Sequence, residues 1–366
     1  MFLLNSLNVG GSERKTVRLA NVLAADNRRV VIAYLRSPET LLSQVDPAVA
    51  TVNLQRRGKF SLRALRRLAA VVREHDVGTL VAMNLYPALY AVLTRLLCRN
   101  RPLRVVVSVN TTVFATRKEE LQMLFYRPVL RRADVIIFGA ESQRRLWRSR
   151  YGLSGSPDKS MVLYNGVNTA EFSKERVLPA VLPELPRGVM LGTVGAFRIE
   201  KAQVDLVRAV HELITRGSDV AALIVGDGPE RPQIEREIRR LGLEGRVHLV
   251  GEVQDVRPYL ARMDIFVLPS VAVETFSNAV LEAMAMSCPV VVAQVGGMEE
   301  MLGFGGGMAY PPGDVKSLCD VVMPLAVSAQ ARKETGAQAR HAAAKHFSFD
   351  KMLNDFRERV LDAGSV

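Results

Sequence analysis

"DIFVLPSVAVETFSNAVLEAMAMSCPVVVA", Asp264 to Ala293, reads as strand, loop, helix and strand in immediate succession. "DIFVLPS" is a short β-branched and aromatic run ending in Pro and Ser, as a buried strand does. "SVAVETF" is the loop leaving its carboxyl end. A helix-forming stretch begins near Ser277 or Asn278, both good N-cap residues, and stops before Pro289. "PVVVA" then opens the next strand. Two strands joined through a helix run parallel, so this stretch is a βαβ unit.

The same grammar extends outward in both directions. "RVVIAYL" (Arg29 to Leu35), "GTLVAMN" (Gly78 to Asn84), "RVVVSVN" (Arg104 to Asn110) and "DVIIFGA" (Asp134 to Ala140) read as strands buried on both faces. Helical periodicity separates them over Glu13 to Ala24, Leu62 to Glu74 and Tyr86 to Leu97. Pro179, Pro183 and Pro186 then mark an interval with the character of a linker, near residues 168–188. The alternation restarts with "MLGTVGAF", "AALIVGDG" and "RVHLVGEV". The pattern predicts an α/β chain of two doubly wound, Rossmann-like parallel-sheet domains, 1–168 and 169–349. Its 366 residues suit that division.

Composition narrows the function classes. Cys98, Cys288 and Cys319 are odd in number, far apart and without metal-ligand spacing, which implies a reducing compartment and no disulfide framework. The start "MFLLNSLNVGG" lacks the basic segment of a signal peptide, and the apolar stretch from Leu80 to Leu93 is broken by Asn84 and Pro87. The chain therefore reads as soluble and cytoplasmic. The net charge of +12 is uneven: residues 1–165 carry 27 Lys and Arg against 11 Asp and Glu, a net of +16, leaving −4 for the remainder. A first half so basic is built to meet a polyanion.

Ligands of open parallel sheets bind beyond the carboxyl ends of the strands. Those ends carry Gly10 and Gly11, Gly195, Gly226 to Gly228, Gly251 and Gly296 with Gly297. The helix start at Ser277 and Asn278 is an anion site, with Glu274 before it and Glu282 inside the helix. A sugar nucleotide has the matching shape, a diphosphate between two hydroxylated rings, and carboxylates accept from paired hydroxyls. Arg198 and Lys201, three residues apart after another strand, suit a diphosphate. Each pattern alone is also compatible with an ordinary solvated surface, since glutamates favour helix starts for dipole reasons.

Together these residues resemble the retaining nucleotide-sugar glycosyltransferases of the GT-B fold, the family 4 group with an E-x7-E signature. The resemblance spans nearly the whole chain: "NVGGSERKTVRLANVLA", "RADVIIFGAESQRRLW", "MVLYNGVNTAEF", "GAFRIEK", "LIVGDGPER", "VHLVGEVQDVRPYLARMDIFVLPS" and "ETFSNAVLEAMAMSCPVVVAQVGGMEE" follow in the family's order. It implies two domains facing a cleft, acceptor binding in the first and donor binding in the second, with residues 350–366 packing back on the first. It implies that Glu274 binds the donor sugar's hydroxyls beside the backbone of Phe276, Ser277 and Asn278. Glu282 would bind the ribose, and Arg198 and Lys201 the diphosphate. Gly226 would belong to the donor side, the backbone at Val253 would meet the base, and Gly10 and Gly11 would approach from the first domain. Where the family often has arginine directly after the strand-end glycine, this chain has Ala196, with Arg198 two residues on. Asn84 and Asn110 occupy the acceptor-side positions where many members carry histidine.

The implied activity is transfer of a hexose or N-acetylhexosamine, with retention, from a nucleotide-diphosphate sugar to a glycan or polyprenyl-linked acceptor in cell-surface polysaccharide assembly. No cofactor and no metal is implied, and a UDP-sugar is the expected donor. A sugar-nucleotide epimerase on the same fold and a basic polyanion-binding protein are the alternatives. A nucleic-acid partner is not expected, because aromatic content is 6% and no stacking pattern appears. Segment "RRGKFSLRALRRLAAVVRE" (Arg56 to Glu74) places Phe60, Leu62, Leu65, Leu68 and Val72 near helical spacing among seven basic residues. The stripe is assigned to the core. The basic face predicts peripheral binding to an anionic membrane surface, on the inner face of the cytoplasmic membrane.

Overall fold

The computed structural model describes residues 1–8, 10–110, 117–152, 159–180, 188–272 and 274–362. It divides into two units, Met1–Leu163 with the chain from Leu353 onward, and Tyr164–Met352.

The first unit is a seven-stranded sheet of β1 (Phe2–Leu4), β2 (Val31–Tyr34), β3 (Ala50–Asn53), β4 (Thr79–Met83), β5 (Arg104–Val109), β6 (Val135–Phe138) and β7 (Ser160–Val162), in the order β3-β2-β1-β4-β5-β6-β7. All its ladders are parallel. The connecting helices are α1 (Gly11–Ala25), α2 (Leu62–Glu74), α3 (Leu85–Leu97), α4 (Arg117–Arg131) and α5 (Glu141–Tyr151). Parallel strands covered by helices on both faces exclude water, so β4, β5 and β6 are continuous apolar runs and join one core with Leu65, Leu68, Tyr90 and Trp147. The order reverses between β1 and β4, and that switch point is where such a sheet leaves room for a ligand.

The second unit has six parallel strands, β8 (Val189–Val194), β9 (Val220–Val225), β10 (Val247–Gly251), β11 (Ile265–Leu268), β12 (Val290–Ala293) and β13 (Gly307–Tyr310), ordered β10-β9-β8-β11-β12-β13. Its helices are α6 (Gln203–Thr215), α7 (Arg231–Arg240), α8 (Arg257–Leu260), α9 (Asn278–Ala285), α10 (Met298–Leu302), α11 (Val315–Val327) and α12 (Ala329–His346), and α13 (Phe349–Phe356) begins in this unit and ends in the first. The switch point here falls between β8 and β11.

Helix α2 covers the expected residues because Ser61 caps it, its Oγ accepting from the Ala64 N–H at 3.2 Å. Leu65, Leu68 and Val72 are buried as expected, whereas Phe60 and Leu62 are 44% and 60% exposed. Leu62 opens the helix on its exposed side, and Phe60, before the helix, only edges the core through the buried Tyr90 ring at 5.3 Å.

Residues 168–180 of the expected linker interval belong to the second unit. Residues 164–180 pack within the second unit: the Ala180 N–H donates to Pro258 O at 2.9 Å, Lys174 Nζ to Met263 O at 3.1 Å, and Arg340 to the carbonyls of Phe172 and Thr169. These bonds commit the segment, and the chain passes between units at Leu163–Tyr164, a few residues before 168. Pro183 and Pro186 lie outside the described residues. The chain's end returns to the first unit, where Phe356 stacks on Phe2 at 5.9 Å, Val360 is fully buried and Arg104 Nη1 donates to Val360 O at 2.9 Å.

Candidate active site

In the second unit, three strand ends converge around one carboxylate. β11 delivers Ser270 and the loop to Glu274; β8, its neighbour in the sheet, delivers Arg198 and a single turn of 3-10 helix at Ile199–Lys201. The Val271 N–H donates to Glu200 O at 2.9 Å and ties the two loops together. That tie brings Lys201 to Glu274. The ammonium is ion-paired with Oε1, and Ser270 Oγ donates to the same oxygen at 2.8 Å. Glu274 is only 6% exposed. A carboxylate so far removed from water requires such partners.

The two expected diphosphate cations are therefore not equivalent. Lys201 is engaged by Glu274, whereas the Arg198 side chain is 65% exposed, with Glu200 at 3.9 Å. The sequence suggested a matched pair acting apart from Glu274. The strand order explains the difference: β8 and β11 are adjacent, so the shorter reach puts the lysine against the acid.

The next strand end fixes the Glu274 backbone. Gly296, after β12, has φ +59°, and a Cβ there would collide with the Glu274 carbonyl. The Gly297 N–H donates to Thr275 O at 3.1 Å. From the other side, Asn165 Nδ2 donates to Phe276 O at 3.0 Å, and the Tyr164 ring stacks on Phe276 with centroids 4.9 Å apart. Phe276 is buried, so it shapes this loop from beneath. Ser277 takes the N-cap position of α9, but its side chain makes no capping bond. Asn278 is the first helical residue. Glu282 is half-buried one turn on. At the far strands the Gly226 N–H donates to Gly251 O at 2.9 Å. Gly226 has φ +134°, and a Cβ there would strike the Gly195 carbonyl. Val253 is half-buried, two residues past β10.

Ser270, Asn165 and the backbone contact at Gly296 were not among the expected site residues. Ser270 closes the run "DIFVLPS" four residues before Glu274, which was its one visible signal. Gly296 was visible only as a strand-end glycine and Asn165 only as part of "MVLYNGVNTAEF"; their contacts were not, because they cross more than twenty residues of chain.

In the first unit, Gly10 is the N-cap of α1 and Gly11 its first residue. Asn84 sits between β4 and α3 with φ +73°, a conformation costly for any residue but glycine. It is held there by donating its N–H to Ser108 O at 2.8 Å and accepting from the Asn110 N–H on Oδ1 at 3.0 Å. The two asparagines are thus in direct contact across the β4 and β5 ends. Beside them opens a cavity of about 960 Å3, lined among others by Asn84, Arg36, Arg56, Lys59, Tyr86 and Tyr126. Burial raises the Tyr126 phenol above its ordinary pKa, with Tyr86 adding to the effect. Among the described residues no group of three His, Cys, Asp or Glu could hold a metal ion.

Residues 9–171 match the family model described as Glycosyltransferase Family 4, and residues 188–326 the one described as Glycosyl transferases group 1. N-acetyl-alpha-D-glucosaminyl L-malate synthase of Bacillus anthracis is 30% identical over 170 residues, 46% of this chain and 44% of that protein. Alpha-D-kanosaminyltransferase of Streptomyces kanamyceticus is 28% identical over 225 residues, 60% of this chain and 50% of its own. The chain spans about half the length of the curated relatives it matches. Among solved structures, Anabaena HepE in complex with UDP superposes with a TM-score of 0.84 at 20% identity, covering 100% of this chain and 99% of that one. That likeness establishes the GT-B fold.

Proposed function

The chain belongs to the family 4, group 1 glycosyltransferases, and from that premise we propose that it moves a hexose or N-acetylhexosamine, with retention, from a nucleotide-diphosphate sugar to a hydroxyl of a glycan or lipid-linked acceptor. The observation that carries this reading is the Lys201–Glu274–Ser270 cluster at the switch point of the second sheet, just before the N-terminus of α9. Glu274 accepts from the donor sugar's hydroxyls. The backbone from Phe276 to Asn278 and the α9 terminus face the diphosphate. Lys201, with Arg198 swinging in from solvent, neutralises the charge that develops on the leaving group. Glu282 accepts from the ribose, and the loop at Val253 borders the base. Because the cations and the helix terminus carry the charge, the reading needs no metal. The acceptor hydroxyl attacks on the face the diphosphate leaves, and a phosphate oxygen takes its proton. UDP is the favoured nucleotide, in keeping with the UDP held by Anabaena HepE.

The test is calorimetric titration of UDP, GDP and a DNA oligomer into the protein and into Arg198→Ala/Lys201→Ala. One nucleoside diphosphate should bind, the double variant should lose at least about tenfold in affinity, and the oligomer should not compete. Equal affinity in both proteins would remove the site assignment.

On the proposed reading the acceptor binds in the first unit. No helix among the described residues is long and apolar enough to cross a membrane, and the reading places the protein peripherally at the anionic inner surface of the cytoplasmic membrane. The support is α2, which turns Arg63, Arg66, Arg67 and Arg73 to solvent while Phe60 and Leu62 stand exposed at its start.

A further inference from the structure

The cavity of the first unit carries more charge information than acceptor binding requires. It lies at the carboxyl ends of β1 to β4, at the switch point of the sheet, and its volume of about 960 Å3 would hold a substrate of two or more sugar rings. Three cations line it, Arg36, Arg56 and Lys59, against the single carboxylate of Glu13.

Arg56 is pinned without being neutralised. Its guanidinium donates to the carbonyls of Gly58 and Lys59, lies 4.9 Å over the Tyr86 ring, and keeps a buried Nε with no hydrogen-bond partner. The side chains of Arg36 and Lys59 have no ion-pair partner among the described residues, and Glu13 accepts from Ser12 Oγ at 2.8 Å. Some arginines elsewhere in this unit are paired, as Arg95 is with Asp134 and Arg101 with Asp76, and several unpaired ones, such as Arg63 and Arg66, are exposed to water, which the partly buried Arg56 is not. A fixed, partly buried guanidinium without a carboxylate is unfavourable unless an anion completes it. Tyr86 and Tyr126 supply flat aromatic faces beside the charges, which suit the apolar face of a sugar ring.

We propose that this cavity selects an acceptor carrying an oxyanion, a phosphate ester or a carboxylate, on or next to the sugar that receives the transferred group. The proposal rests on the glycosyl-transfer reading and names its acceptor class. A neutral glycan would leave the three cations uncompensated.

The experiment uses the full chain saturated with UDP, so that the donor site is filled. Glucose 6-phosphate, glucuronate and glucose are titrated by calorimetry into the parent, into Arg36→Gln/Lys59→Gln, and into Arg99→Gln/Arg145→Gln, which removes two exposed charges elsewhere in the unit. Arg56 is left intact because it also holds the 56–59 loop. The two anionic sugars should bind better than glucose, and the first variant should weaken them by about tenfold or more while the second does not. An arm with N-acetylglucosamine linked to geranyl diphosphate separates two sources of the anion: tighter binding than glucose 6-phosphate assigns it to a lipid carrier, equal or weaker binding to a soluble glycan. Equal binding of glucose and glucose 6-phosphate, or equal loss in both variants, overturns the proposal. The initial UDP titration tests glycosyl transfer by itself, so the two failures are told apart.

Discussion

Gly296 and the carbonyl of Glu274 occupy space that cannot be shared with a side chain: at φ +59°, a Cβ on residue 296 would run into that oxygen. The loop after β12 is thus a template for the loop after β11, and the acid's backbone is set by a residue whose own chemistry is nil. Gly296→Ala adds left-handed strain and pushes the Glu274 carbonyl away. Turnover with a nucleotide sugar should fall by about a hundredfold, while UDP binding, which also draws on Arg198, Glu282 and the loop at Val253, should change less. Full turnover in the alanine variant would show that the loop yields without displacing Glu274.

The two glutamates of the E-x7-E pair should separate in function. Glu282→Gln should weaken binding of free UDP, since a charged ribose contact of the proposed kind is worth about 1.5–3 kcal/mol. Glu274→Gln should leave UDP affinity intact or raise it, because Lys201 loses its internal partner and is released toward the diphosphate. Its cost should appear in use of the sugar donor. Titrations of UDP and of the UDP-sugar into both variants check this. Equal loss of UDP affinity in both would contradict the division.

Legibility in the sequence followed physical cause. Strands β5 and β6 are buried on both faces, so their composition announced them. α2 was readable to the residue because its cap and its apolar stripe agree. β1 has only three residues and β3 is half exposed, too little for any period to register. In the site, Glu274, Lys201 and Arg198 were visible as residue types at strand ends. Their pairing was not, because Lys201 meets Glu274 across 73 residues and only the order of strands brings them together. The same holds for Gly296, whose position after a strand was plain and whose contact was not.

Stability at acid pH should depend on Glu237. It accepts from Arg240 and from Arg208, each through Nε at 2.7 Å, and those bonds, Arg240 first, hold its carboxyl down at about 2 against an ordinary value of 4.5. A depressed carboxylate contributes stability that is present above 4.5 and lost as pH falls toward 2. Both arginines are nearly half exposed or more, so screening by solvent reduces the effect. Glu237→Gln should cost about 1–3 kcal/mol at pH 7, with the difference in melting temperature from the parent shrinking below pH 4.5 and vanishing near pH 2. A deficit independent of pH would assign the residue a packing role only.

The charge imbalance of the chain makes the last prediction. Residues 1–165 hold a net of +16, from 27 basic against 11 acidic residues, and the exposed face of α2 concentrates part of it in Arg63, Arg66, Arg67 and Arg73. Leu121, Leu124 and Phe125 on α4 are 66%, 69% and 57% exposed, an apolar set that water disfavours. Each Lys or Arg near an anionic surface contributes about 1 kcal/mol, within a screening length of about 8 Å at physiological salt. Sedimentation with vesicles should therefore show binding to anionic but not neutral lipid, reversed by about 0.5 M salt, at which the screening length falls below the reach of the α2 face. Arg63→Gln/Arg66→Gln/Arg67→Gln should abolish it, because three contributions of that size exceed what a marginal peripheral contact retains. Leu124→Ser/Phe125→Ser should weaken binding without altering its salt dependence, since it removes inserted apolar area and no charge. Equal binding to neutral vesicles, or indifference to salt, would eliminate the electrostatic attachment and leave a freely diffusing acceptor as the substrate of the first unit.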